Sequence, residues 1–170
     1  MSAVGTVAVA PSAAAVRALL DGVHDPEIPT LTIADLGVLR EVGIEDDGTV
    51  VVVITPTYSG CPAMHAIECD IRRVLAAAGH ARVRIDTHLA PAWTTAWLTP
   101  AGRARLLENG IAPPVEPSGD ARSLRGLPAI ACPRCGATDT EKLSEFGTTA
   151  CKALYRCRQC REPFDYFKCL

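Results

Sequence analysis

Four cysteines near the C-terminus set the strongest constraint on how this chain can fold. They form the pattern C-x2-C-x21-C-x2-C, made by Cys132, Cys135, Cys157 and Cys160. Each CxxC turn can place two thiolates on one metal ion, and two such turns complete a tetrahedral site. A segment as short as residues 130–170 buries too little apolar surface to fold unaided, so a bound metal must supply much of its folding free energy.

The pattern also indicates what the metal does. A closed four-thiolate site leaves no open coordination position for catalysis, which favours a structural zinc ion over an iron centre. The 21 residues between the two CxxC pairs suit a β-hairpin, so we predict a β-rich zinc-ribbon module over residues 130–170. Disulfide exchange is the weaker interpretation, because it rarely needs two separate CxxC pairs.

The remainder of the chain is long enough for a second, larger domain. The sequence has 170 residues, of which 48% are hydrophobic. Prolines and glycines are concentrated over residues 113–129, which indicates a linker. We therefore predict an α/β domain at residues 1–112, the linker, and then the ribbon.

Charge and hydropathy exclude several classes of partner. The net charge is −2 and the pI is about 6.1, so the chain lacks the basic footprint of a nucleic-acid-binding protein. The Ala- and Val-rich N-terminus lacks the basic region of a signal peptide, because no Lys or Arg precedes Arg17. No apolar run reaches the length of a membrane span. These features predict a cytoplasmic protein without membrane contact.

Hydrophobic periodicity predicts an α+β fold for the first domain, with a small mixed sheet of about three strands and packed helices. A short helix should begin after Ser12, and the last helix should run from about Pro100 to Asn109. The strand over residues 49–55 is nearly continuously apolar, which predicts burial on both faces. The other expected elements are strands within 38–45 and 81–89, a turn at Asp46-Asp47-Gly48, a helix from Ala63 to about Ala78, and packing by Trp93 and Trp97.

A Pro- and Gly-rich turn over residues 55–62 delivers Cys61 to the start of the central helix. A helix N-terminus offers unpaired N–H groups and the positive end of the helix dipole, which favour a thiolate. Cys61 is therefore a candidate functional thiol. The alternative is that Cys61 is a small buried hydrophobic residue, which is common for free cysteine.

Several polar residues are candidate helpers of Cys61. The carboxylates Asp25, Glu27 and Asp35 could be ligands or acid/base groups, although such residues more often cap turns. His65 follows Cys61 by four positions, so a metal could bridge the two if both lie on the helix. A surface histidine is the simpler alternative. A thiol enzyme using Cys61 and His65 stays open, but no third orienting group is evident.

Three cysteines have no assigned role. Cys69 lies two helical turns from Cys61, too far for a disulfide in an intact helix. Cys151 sits in a polar loop beside Lys152, a setting that could lower the pKa of its thiol. Cys169 is next to the C-terminus, and its position indicates no function.

Three motifs together resemble a known signature. Asp25-Pro26-Glu27-Ile28-Pro29, Asp35-Leu36-Gly37 and the 55–62 turn look like the small α/β domain shared by iron–sulfur cluster targeting and assembly factors, over residues 12–112. In that family the cysteine matching Cys61 is implicated in cluster-related function. Asp25 and Glu27 lie in its other signature loop. One thiol cannot hold a cluster alone, so further ligands would come from Asp25, Glu27, His65, a second copy or a client protein.

The C-terminal runs 146–157 and 162–169 are similar to a branch of that family that accompanies phenylacetyl-CoA epoxidase in aerobic phenylacetate catabolism. The resemblance implies an accessory role, in which the protein matures or delivers iron or iron–sulfur clusters to the oxygenase or reductase subunits. A non-catalytic scaffold subunit is the alternative. Whether Cys61 binds a cluster, iron or nothing, and whether the protein forms a homodimer, stays open.

The residues themselves argue against a catalytic di-iron subunit. Such sites use Glu-x-x-His pairs on bundle helices. None of the four histidines follows a Glu by three positions.

Overall fold

The computed structural model describes residues 12–115 and 129–168. The first 11 residues and most of the predicted linker, residues 116–128, lie outside this range. Helix α1 (Ala13–Leu20) begins as predicted at Ser12, whose Oγ accepts a hydrogen bond from the Ala15 N–H at 3.1 Å. Within the described ranges, no helix is long and apolar enough to cross a membrane.

The first domain contains the predicted small mixed sheet. Its strands are β1 (Leu39–Ile44), β2 (Val50–Ile54) and β3 (Val83–Thr87), in the order β1-β2-β3. β1 pairs antiparallel with β2, and β2 pairs parallel with β3. The hairpin between β1 and β2 turns at Gly48, whose φ of +82° is readily adopted only by glycine.

The prediction that β2 is buried on both faces is only half right. Val50, Val52 and Ile54 are fully buried and share a core with α1 and the central helix. Val51 and Val53 are half-buried, because alternate residues of a strand point to the opposite and less covered face.

The two remaining helices follow the predicted apolar pattern. Helix α2 (Ala63–Ala77) buries Ile67, Ile71 and Leu75 against the sheet, and Gly79 follows it at a φ of +89°. Helix α3 (Pro100–Glu108) is capped by Thr99, whose Oγ1 accepts a hydrogen bond from the Gly102 N–H at 2.9 Å.

The C-terminal module is a four-stranded sheet. Its strands are β4 (Ile111–Ala112), β5 (Thr140–Ser144), β6 (Lys152–Cys157) and β7 (Pro163–Phe167), in the order β4-β7-β6-β5. β5 and β6 pair antiparallel and form the predicted hairpin between the CxxC pairs. β4 precedes the predicted linker in sequence, yet it pairs parallel with β7.

The ribbon is packed onto the first domain. Phe167 and Cys151, both from the ribbon, are 1% and 4% exposed and belong to the core of the first domain. Trp93 is also buried in that core, and its Nε1 donates a hydrogen bond to the Leu36 carbonyl oxygen at 2.8 Å. Trp97 packs against the same core, and the Arg40 guanidinium lies over its ring. The packing role predicted for the two tryptophans is therefore confirmed.

Candidate metal and thiol sites

The four ribbon cysteines converge at the end of the second sheet. Their Sγ atoms all lie within 4.8 Å of one another, with Cys132 and Cys160 at 3.7 Å and Cys135 and Cys157 at 3.6 Å. Four thiolates at about 2.3 Å from one zinc ion stand about 3.8 Å apart at the corners of a tetrahedron. The donor set and its spacing therefore fit a four-thiolate metal site, which we call the cysteine cluster.

Backbone geometry positions this cluster. Gly136, at a φ of +75°, donates its N–H to the Cys132 carbonyl oxygen at 2.8 Å and closes the first CxxC turn. In the second turn the Cys160 N–H points at Cys157 Sγ at 3.5 Å. This hydrogen bond lowers the pKa of Cys157 to about 7.

Cys61 lies just before α2 rather than within it. Pro62 occupies the N-cap position, and the Cys61 N–H donates to the Tyr58 carbonyl oxygen at 3.1 Å. The side chain is half-buried against the main core. Burial raises the pKa of the Cys61 thiol and outweighs a hydrogen bond from the Ala63 N–H. The expectation of a thiolate stabilised by the helix dipole is therefore wrong, because desolvation is the larger effect.

The carboxylates of Asp25 and Glu27 lie close enough to Cys61 for their charges to act on its thiol. Asp25 is 7% exposed, and its Oδ1 accepts hydrogen bonds from the Glu27 and Ile28 N–H groups, both at 2.8 Å. It therefore caps a turn, yet burial still raises its pKa. Burial and the neighbouring Asp25 also raise the pKa of Glu27. Negative charge on Glu27 and Asp25 raises the pKa of Cys61 further.

Asp35 has a structural role, as the simpler interpretation expected. Its carboxylate accepts hydrogen bonds from the Thr32 N–H at 3.2 Å, from Thr32 Oγ1 at 2.9 Å and from Thr99 Oγ1 at 3.1 Å. It also pairs with the Arg105 guanidinium. Burial opposes ionisation, but these hydrogen bonds and Arg105 together lower the pKa of Asp35. The group ties the 25–37 loop to α3.

The structure places His65 with Cys69 instead of with Cys61. His65 is exposed, and its Nε2 lies 3.8 Å from Cys69 Sγ on the outer face of α2. The i, i+4 argument for Cys61 and His65 fails because the helix begins only at Ala63. A Cys61–His65 pair, whether for metal binding or thiol catalysis, therefore stays a hypothesis, and the partner of His65 in the structure is Cys69.

Cys151, to which the sequence assigned no role, has a position that sequence reasoning did not predict. It leaves the ribbon to bury its thiol in the core of the first domain, where Thr149 Oγ1 lies 3.0 Å from its Sγ. The charges of Glu27 and Asp25 act on both Cys151 and Cys61, and Cys151 also acts on Cys61. Nothing in the polar stretch around Cys151 signals this burial.

The predicted effect of Lys152 on Cys151 is outweighed. Burial raises the pKa of Cys151, although Thr149 and the Lys152 ammonium act in the opposite direction. Lys152 is itself 4% exposed, and its Nζ lies 3.4 Å from Asp165 Oδ2. The ion pair holds its charge at the junction between the two modules.

Tyr58 lies beside Cys61 and also lines a surface cleft. Burial, together with the neighbouring Cys61, raises the pKa of Tyr58 to about 12. A cavity of about 290 Å³ opens beside the 56–59 loop and reaches Leu89 and Trp93. Cys61 itself is half-buried, whereas Cys151 is only 4% exposed.

Comparisons with known proteins match each module to a described family. Residues 13–86 match the family described as "Iron-sulfur cluster assembly protein", and residues 116–168 match the "PaaD zinc beta ribbon domain" family. The first domain also resembles the crystal structure of a DUF59 domain from Bacillus anthracis, with a TM-score of 0.52 and 24% identity over 55% of this chain and 90% of that one. This last likeness shows the fold.

Two relatives are informative. A Porphyromonas gingivalis protein named "Fe-S protein maturation auxiliary factor" is 40% identical over 76 residues, which are 44% of this chain and 71% of the relative. An Escherichia coli K12 protein, named as the putative D component of 1,2-phenylacetyl-CoA epoxidase, is 51% identical over 153 residues, which are 90% of each chain.

The fold and the sites define an iron–sulfur assembly-type domain that carries a C-terminal zinc-ribbon module with a metal-binding cysteine cluster. The particular family follows from the full-length match: the chain belongs to the family of phenylacetyl-CoA epoxidase D components, which are subunits of that system.

Proposed function

We propose that this protein is an accessory factor of a phenylacetyl-CoA epoxidase system that matures or delivers iron or iron–sulfur clusters to the oxygenase or reductase subunits. The observation that carries the proposal is the placement of Cys61. The assembly-type domain holds this thiol half-buried, where the charges of Glu27 and Asp25 act on it. The Cys61 N–H donates to the carbonyl oxygen of Tyr58, a residue that lines the surface cleft. Thiolate and carboxylate groups are suitable ligands for iron.

The cysteine cluster has a separate role in the proposal. Cys132, Cys135, Cys157 and Cys160 would hold one structural zinc ion, which would stabilise the ribbon and supply no reaction. Zinc fits because four thiolates within 4.8 Å of one another can complete a tetrahedral site and leave no open ligand position. The cluster is therefore part of the scaffold, and Cys61 is the functional thiol.

The test compares client proteins matured with different variants. The oxygenase and reductase subunits are co-produced with wild-type protein, Cys61→Ala or Cys69→Ala, and their iron and acid-labile sulfide contents are then measured. We expect Cys61→Ala to lower these contents to the level found without the factor. Cys69→Ala, which removes an exposed helical cysteine, should match wild type. Equal contents for wild type and Cys61→Ala would refute the role of Cys61.

A non-catalytic scaffold subunit is the second candidate, and the ribbon surface favours it. Phe146 is 63% exposed and Leu143 is 47% exposed, both at the end of the β5–β6 hairpin. Exposed apolar residues of this kind can form a docking face. Stable, stoichiometric co-purification with the oxygenase that is lost in Phe146→Ser, with unchanged client iron in Cys61→Ala, would support this candidate.

A further inference from the structure

We propose that Cys151 of the ribbon is the second thiol ligand of the Cys61 site, so that iron or iron–sulfur cargo binds at the junction between the two modules. The inference rests on the proposed function and deepens it. It assigns a ligand to a module whose four other described cysteines form the separate cysteine cluster.

The position of Cys151 is the main argument. The ribbon has its own core, built around Tyr155, Phe164 and Tyr166, but Cys151 does not belong to it. Cys151 lies just before β6 and is 4% exposed within the core of the first domain, against which Cys61 also packs. A thiol from each module therefore packs into the same core.

The groups around the two thiols suit a cationic cargo. The carboxylates of Asp25 and Glu27 act electrostatically on both Cys61 and Cys151. Two thiols and two carboxylates supply up to four ligands of the types that iron accepts. The Lys152 ammonium, held by Asp165, offsets part of this negative charge in the absence of cargo.

The junction itself is fixed by contacts on both sides of Cys151. The Lys168 N–H donates to the Cys151 carbonyl oxygen at 2.9 Å, and the Lys152 N–H donates to the Thr149 carbonyl oxygen at 3.2 Å. Phe167, next to Lys168, packs against Trp93 of the first domain. The backbone that carries Cys151 is thus held against the first domain.

The two metal sites differ in a way that separates a resident ion from cargo. The cluster thiols already stand at the spacing of a tetrahedral ion. Among the residues that the structure describes, that cluster is the sole group of three or more candidate ligands found at such spacing. The Cys61 and Cys151 thiols would have to turn toward an incoming ion, and a site that must rearrange on binding holds its ion less tightly.

The test measures metal binding by zinc-loaded protein under anaerobic conditions. Fe(II) binding is followed by equilibrium dialysis, and Co(II) reports thiolate ligation through its charge-transfer absorption. Zinc binds thiolates more tightly than either probe, so the cysteine cluster stays filled. We expect one additional ion per wild-type chain. Cys151→Ser and Cys61→Ser should each weaken binding by more than roughly tenfold and reduce the thiolate band.

The double variant tests whether the two thiols bind the same ion. If both thiols hold one ion, the loss of affinity in Cys61→Ser/Cys151→Ser should differ from the sum of the two single losses. Additive losses, or wild-type Fe(II) affinity in Cys151→Ser, would overturn the proposal. Cys69→Ser is the matched control, and one zinc per chain in every variant shows that the ribbon is folded. Failure of Cys151→Ser to matter leaves Cys61-dependent maturation of clients intact, so the two proposals fail separately.

Discussion

The Trp93 indole of the first domain packs edge-on against the Phe167 ring of the ribbon, with centroids 6.0 Å apart and planes at 64°. Both side chains are almost fully buried. Aromatic pairs of this geometry contribute about 0.5–1.5 kcal/mol beyond their area burial. The contact joins two modules that lie on either side of the predicted linker, and it places Cys151 next to the first domain.

Truncating this contact should destabilise the whole chain. We expect Phe167→Ala to lower the free energy of unfolding by about 3–5 kcal/mol, because it removes a buried ring and leaves a cavity shared by both modules. Urea denaturation of zinc-loaded protein, followed by tryptophan fluorescence and by far-UV circular dichroism, measures the change.

The matched control for that variant is Phe146→Ala. Phe146 is 63% exposed and lies under the Lys168 ammonium, so its loss should change the free energy of unfolding by no more than about 1 kcal/mol. If Phe167→Ala were equally mild, the ribbon would not be packed on the first domain as described.

Removing the metal should also change the environment of Trp93 in the first domain. Chelation, or Cys135→Ser, should release one zinc ion and unfold the ribbon, because the cysteine cluster supplies much of its folding free energy. Since Phe167 covers Trp93, we expect the tryptophan emission to shift to longer wavelength as zinc leaves. Fluorescence and a colorimetric zinc assay, recorded together, test this coupling.

Cys69→Ser serves as the control for zinc removal, because Cys69 is exposed on α2 and outside the cluster. It should retain its zinc and its emission spectrum. An unchanged emission maximum in zinc-free wild-type protein would contradict the shared core.

The reactivity of Cys61 should depend on Glu27. Burial, and then the negative charges of Glu27 and Asp25, raise the pKa of the Cys61 thiol. Alkylation should therefore be slow at neutral pH and accelerate above the usual thiol pKa of about 8.5. Glu27→Gln removes one charge, so the midpoint of the pH–rate profile should move to lower pH. Mass spectrometry of the alkylated peptide isolates the Cys61 signal.

Glu108→Gln is a suitable comparison in the alkylation experiment, since Glu108 is an exposed carboxylate at the end of α3. Its profile should superimpose on that of wild type. A midpoint that moves upward in Glu27→Gln would show that the carboxylate does not act on the thiol in the inferred sense.

Asp35 should stabilise the fold in a pH-dependent way. Its pKa in the folded protein is lowered, so its stabilisation is present above the unfolded pKa of about 3.9 and is lost as the pH falls through the lower folded pKa. Asp35→Asn should lower the free energy of unfolding at pH 7 by about 1–3 kcal/mol, because buried partners at Thr32 are left unsatisfied. Denaturation at pH 7 and at about pH 3 measures the difference, which should shrink at acid pH.

The comparison for Asp35 is Asp70→Asn. Asp70 forms an exposed i, i+3 pair with Arg73 at 2.9 Å, and such pairs contribute about 0–1 kcal/mol. A loss in Asp35→Asn no larger than this, or one independent of pH, would contradict the role of the buried carboxylate.

Local patterns predicted those parts of the molecule that local forces specify. The helix near Ala63–Ala77, the strand pairs and the Ser12 cap follow from apolar periodicity and side-chain hydrogen bonds within a few residues. The CxxC spacing likewise predicted a four-thiolate cluster, because each turn carries its own two ligands. None of these features depends on what the rest of the chain does.

Predictions about the Cys61 surroundings were less successful, for a physical reason. Helix-dipole arguments favoured a thiolate at Cys61, and a neighbouring lysine favoured one at Cys151. Desolvation reverses both directions, and burial is a property of the packed molecule. The pairing of His65 with Cys69 depended on where α2 begins, which differs by two residues from the position that the Cys61–His65 argument needed.

By itself, the sequence determined the elements, the cysteine cluster and the family signature, because these depend on residue type and short spacing. The tertiary structure alone determined that β4 joins the ribbon sheet, that Phe167 covers Trp93, and that Cys151 is buried in the core of the first domain. These contacts join residues far apart in the chain, and no periodicity or motif encodes them. They form because the ribbon buries its apolar end on the first domain.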